Sequence, residues 1–62
     1  SFPKFSIGQL VETKYPRMNN KVGMVVGIKN IDSMDFKATM YEVLVEGQPY
    51  LVLESWLDRI DL

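Results

Sequence analysis

Three groupings in this chain hold side chains of the kinds that do chemistry. Asp32 and Asp35 bracket Ser33, the acids Glu54, Asp58 and Asp61 follow one another, and Lys14, Tyr15, Arg17, Asn19, Asn20 and Lys21 crowd a single short stretch. A calcium loop needs about six to eight oxygen ligands at regular spacing. The first group lacks them and reads as a solvated turn. The second has paired carboxylates but no expected pocket around them, so it reads as an acidic surface. Histidine and cysteine are both missing, which removes imidazole acid-base chemistry, thiol nucleophiles and the common zinc sites. Gly8, Gly23 and Gly27 are followed by neither a helix nor a Gly-Lys-Ser/Thr ending, so they make no phosphate cradle. No catalytic residue, metal ligand or cofactor is expected, and the chain reads as a protein that binds.

The third group carries the sharper chemistry. Cations beside an aromatic ring are what a single-stranded nucleic acid uses, phosphates pairing with the charges and a base stacking on the ring. Lys14, Tyr15, Arg17, Asn19, Asn20 and Lys21 are therefore candidate RNA or DNA contacts. The net charge of −1 limits such binding to a weak, salt-sensitive kind. Charge is unevenly spread: residues 1–37 carry a net +3 and residues 38–62 a net −4.

These groups need elements to position them, and the spacing of Pro3, Gly8, Pro16, Gly23, Gly27, Gly47 and Pro49 is too short for a long helix. Between these residues lie runs of Val, Ile, Leu and Tyr, the pattern of short strands. Strands are expected at about Leu10 to Lys14, Val22 to Ile28, Thr39 to Glu46, Tyr50 to Glu54 and Arg59 to Leu62. A single 3₁₀ turn fits Glu54 to Asp58, just before the last strand. Alternation places Val11, Phe5 and Ile7 inward on the first strand and Tyr41, Val43 and Val45 inward on the third. Trp56 is expected as a core plug. Residues 15–21 should be an exposed loop, and residues 29–37 a long connection anchored by Ile31, Met34 and Phe36. Gly23 and Gly27 inside a strand mark a bulge, a bend or a close backbone approach. Gly47 and Pro49 shape a tight turn between the third and fourth strands.

A chain of 62 residues makes one domain and buries only on the order of 60% of its unfolded surface. Without disulfides or metal, association is one way to add stability. No run of residues approaches the ~20 apolar positions that span a bilayer, and the expected setting is cytoplasmic, with no membrane partner.

The motifs Phe5-x-Ile7-Gly8-Gln9-x-Val11, Lys21-x-Gly23-x-Val25-x-x-Ile28, Tyr41-x-Val43-x-Val45-x-Gly47 and Glu54-x-Trp56-Leu57 together resemble small SH3-like barrels of the KOW, Tudor and Sm-like kind. Gln9 stands where that pattern usually has an acid. The resemblance implies a five-stranded, strongly bent antiparallel barrel spanning residues 1–62, of a type often encoded by bacteriophages; a phage protein would sit in the host cytoplasm. It implies no particular ligand. Self-association is the leading expectation, because Met24, Met40, Leu44, Tyr50 and Val52 would form an apolar patch on the outer surface of so small a domain. Either two faces would pack, or one edge strand would add to the next copy as in Sm-like rings. A peptide adaptor like a true SH3 domain is less expected, since no aromatic-lined groove is evident.

Overall fold

The computed structural model describes residues 3–18 and 20–61. Five strands follow in order: β1 (Leu10–Thr13), β2 (Val22–Asp32), β3 (Lys37–Val45), β4 (Gln48–Leu53) and β5 (Leu57–Arg59). A single 3₁₀ turn, Glu54–Trp56, joins β4 to β5. All pairings are antiparallel, and the strands lie in the order β4-β3-β2-β1-β5. Thus the all-β class, the five strands and the 3₁₀ turn match expectation, whereas β4 and β5 remain unpaired edges and the sheet does not close through hydrogen bonds.

Alternation decides which side chains go inward. Val11, Val25, Tyr41, Val43, Val45, Val52 and Leu57 form the core, with Phe5 and Met18 closing over it. Val25 pairs with Val43, and after the bulge at Val26 the pairing resumes at Gly27 with Glu42 and Ile28 with Tyr41. One extra residue restores the inward phase, so Ile28 again packs on the core. Gly23 lies on the inner side, where an added Cβ would stand 2.6 Å from Val43 Cγ1, 2.7 Å from Val45 Cγ2 and 2.8 Å from the Leu44 carbonyl oxygen. Only glycine lets β2 approach β3 this closely.

The inner face also holds one polar cost and one polar network. Thr13 is fully buried, and its hydroxyl has no hydrogen-bond partner among the described residues, a burden of about 1–3 kcal/mol. The Tyr41 hydroxyl donates to Glu54 Oε2 at 2.6 Å and accepts from the backbone N–H of Lys4 and of Phe5. Lys4 N–H also reaches Glu54 Oε2 at 3.1 Å. This network ties the segment before β1 to β3 and to the 3₁₀ turn, helped by edge-on packing of the Phe5 and Tyr41 rings at 5.4 Å.

Several expectations are corrected here. The connection expected at residues 29–37 is instead the end of a long hairpin: β2 runs on to Asp32, β3 begins at Lys37, and the turn is held by Ser33 N–H to the Phe36 carbonyl. The Ser33 hydroxyl also donates to that carbonyl and accepts from Phe36 N–H, which closes a four-residue turn where a long loop was expected. Ile31, Met34 and Phe36 are exposed and anchor nothing. Ile7 is exposed as well, because the turn at Ile7–Gly8 breaks the alternation that began at Phe5. Finally, β5 starts at Leu57, and the end of the expected last strand, Leu62, lies outside the described residues.

Candidate functional site

Two surfaces emerge, one on the outer face of the sheet and one at its end. On the outer face, cross-strand register places Leu10 opposite Met24, Met24 opposite Leu44 and Leu44 opposite Pro49. One apolar row therefore crosses four strands, and Leu10, Met24 and Leu44 stay 40–42% exposed. Met40, opposite Leu53, lies on this same face and is half-buried, while exposed Leu51 stands opposite Glu42. No described helix or loop covers the row.

The expected patch is thus redrawn. Met24, Met40 and Leu44 share the outer face, but Val52 is opposite Tyr41 on the inner side, only 4% exposed, and offers nothing to a partner. Tyr50 is opposite Val43 and belongs to the end cleft described below. Leu10 and Pro49 were missed. Leu10 alternates with Val11, so its outward direction was readable, but its neighbours on β2 and β3 required the register.

The sheet edges are built unfavourably for strand addition. Glu46 and Gly47, both at positive φ, form a two-residue turn between Val45 and Gln48. In such a hairpin the flanking pair is hydrogen-bonded, so Pro49 and Leu51 aim their backbone at the free edge. Pro49 has no N–H to offer there. At the opposite edge β5 is only three residues long.

The second surface is a cleft of about 410 Å³ at the end of the sheet, lined by Tyr15, Arg17, Met18, Lys21, Tyr50 and Leu51 among others. Its wall is built from residues 14–18, 20 and 21, several of which are tied down through their backbone. Lys14 N–H donates to the Trp56 carbonyl, Met18 N–H to Tyr15 and Lys21 N–H to Met18. Pro16 sits second in the Tyr15–Met18 turn, the position where its fixed φ helps most. Buried Met18 plugs the loop onto the core. Trp56 is half-buried rather than a full plug, and its ring meets Tyr15 edge-on at 5.6 Å.

This geometry changes the electrostatics of the basic stretch. Lys14 pairs with Asp58 at 3.2 Å and Lys21 with Glu46 at 2.8 Å. The hydrogen bond to Glu46, and its charge, hold the Lys21 ammonium above its ordinary pKa. Arg17 has no ion pair among the described residues and is the charge left to the cleft. Asn20 takes a left-handed φ of 61°, while Asn19 lies outside the described residues. The structure brings Tyr15, Arg17 and Lys21 together, and it adds Tyr50 from β4, so two tyrosines line this cleft. That cleft needed β4 to fold beside the loop, a juxtaposition with no local signal.

The acids are dispersed into structural roles. Asp58 is paired with Lys14, Asp32 lies 3.8 Å from Lys37, and Glu54 serves the Tyr41 network. The Tyr41 hydrogen bond holds the Glu54 carboxyl below its ordinary range, while burial, with that bond, raises the Tyr41 phenol. Among the described residues no group of three or more acids, histidines or cysteines is arranged to hold a metal. No described helix is long and apolar enough to cross a membrane. Among known proteins, no family model fits this chain, no curated protein matches it and no solved structure does.

Proposed function

We propose that this chain is a non-catalytic assembly module of the SH3-like barrel kind that self-associates by packing the outer faces of two copies. The observation that carries the reading is the uncovered row Leu10, Met24, Leu44 and Pro49, continuous across four strands. Burying it gains about 25 cal/mol per Å² of apolar surface, a large supplement for a core this small. The same face holds Lys29, Glu42 and Glu12, none ion-paired among the described residues, so a two-fold mate can set the lysine of one copy against an acid of the other. The blunted β4 and β5 edges count against strand addition there of the kind seen in Sm-like rings. The bulge at Val26 in β2 and the 3₁₀ turn before the last strand support the barrel reading. Weak nucleic-acid binding by Lys14, Tyr15, Arg17, Asn20 and Lys21 is the lesser reading, because two of its three cations are engaged in ion pairs.

Multi-angle light scattering across a concentration series is the test. The wild-type chain should reach at least dimer mass, and Leu44→Glu should associate more weakly at the same concentrations with an unchanged circular dichroism spectrum. A wild-type chain that stays monomeric at the highest attainable concentration removes the proposal.

A further inference from the structure

The end cleft and the hairpin tip have complementary chemistry but cannot meet within one molecule. Lys21, at the cleft, directly precedes β2, and the tip, Ser33 to Phe36, directly follows it. With a rise of ~3.3 Å per residue, the two lie toward opposite ends of a molecule whose longest extent is 35 Å. The tip presents Met34 at 101% and Phe36 at 53% exposure. Beyond Met40 and Lys29 neither β1 nor β4 flanks the hairpin, since β4 pairing ends at Met40 and β1 pairing at Met24. Such a two-stranded arm has little stability of its own, and burying its apolar tip would add some.

From this we infer that the cleft takes the arm tip of a second copy, head to tail, Met34 and Phe36 entering between Tyr15, Met18, Tyr50 and Leu51. The volume of about 410 Å³ is within the ~300–1,000 Å³ of sites that enclose small organic groups. Methionine adapts to such a shape and packs well against aromatic rings. Charge fits too: Asp35 on the tip and Arg17 at the cleft are both without ion-pair partners among the described residues, and each supplies what the other lacks. The contact is heterologous, so it propagates into rings or chains where face packing stops at a pair. It does not depend on the outer face.

A charge swap tests the arm contact in a Leu44→Glu background, which disables the outer face and so separates this inference from the proposed function. Sedimentation velocity is measured for Arg17→Glu, for Asp35→Arg and for their equimolar mixture. Each single reversal places like charges at both ends and should lower the association constant about tenfold, or 1.4 kcal/mol. Mixing restores opposite charges at every contact and should recover association, while Met34→Asp should abolish it alone and in the mixture. Equal association of all three samples, or a mixture no stronger than its components, overturns the inference. Should Leu44→Glu not fold, the wild-type chain is followed by amide chemical shifts: concentration must move Met18 and Met34 together, and movement of neither overturns it equally.

Discussion

The body and the arm are built from the same two strands, yet they are held by different forces. In the body, β2 and β3 are flanked by β1 and β4, and Val25, Tyr41 and Val43 are fully buried between them. In the arm, Asn30 to Asp32 face Lys37 to Thr39 with no third strand, and its side-chain contacts are a 3.1 Å hydrogen bond from Thr39 to Asn30 and a 3.8 Å ion pair. Backbone pairing runs through both, interrupted only by the bulge at Val26 in the body. What differs is apolar burial, so stability should be concentrated at one end and binding capacity at the other.

Three substitutions probe that contrast, beginning in the body. Gly23→Ala forces a Cβ against Val43, Val45 and the Leu44 carbonyl, and should cost about 3 kcal/mol or prevent folding; urea denaturation measures it. A loss below about 0.5 kcal/mol, the size of an ordinary surface change, would mean that β2 and β3 separate readily and that the body is no tighter than the arm.

Next comes the network that fastens the body's entry. Tyr41→Phe removes a hydrogen bond to a carboxylate and the acceptor for Lys4 and Phe5, and should cost about 2 kcal/mol at neutral pH. Because folding lowers the Glu54 pKa from its ordinary value of 4.5, its contribution is full above that value and is lost as pH falls through the lower, folded pKa. The raised Tyr41 pKa acts on the other side: its contribution is present below 10.0 and declines as pH rises beyond it. Thermal melts of wild-type protein should therefore show both declines, and Tyr41→Phe should flatten both. A variant that retains the full acid and alkaline declines would assign them to other groups.

The smallest effect belongs to the arm. Thr39→Ala deletes an exposed hydrogen bond and should change stability by no more than about 0.5 kcal/mol, read from the same denaturation curves. A loss comparable to that of Tyr41→Phe would place the arm inside the cooperative unit and erase the distinction.

Much of the body was legible in order of residues. Tyr41, Val43 and Val45 alternate with Met40, Glu42 and Leu44, and that period alone assigns the inner face of β3. The turn at Gly47 was readable from glycine, whereas Gly23 read as a bulge, a bend or a close approach, and only the structure selects the last and names the strand it faces. The arm was misread because its strands carry Lys29, Asn30, Asp32 and Lys37, and a polar, exposed pair of strands has the composition of a loop. Of the candidate site, Tyr15, Arg17 and Lys21 were identified together, while the place of Tyr50 in the cleft and of Met18 as an anchor was not seen.

Side-chain type and its period of two are local quantities, so the sequence alone determined the all-β class, the inward residues of β3 and the absence of imidazole and thiol chemistry. Register, ion pairing and the meeting of loop with edge strand depend on residues far apart in the chain. Only the tertiary structure could decide that Leu10 and Leu44 share a row, that Lys14 and Lys21 are neutralised by Asp58 and Glu46, and that Tyr15 faces a cleft with Tyr50. Contacts of that kind arise when the strands are brought into order around a common core, and no stretch of neighbouring residues encodes them by itself.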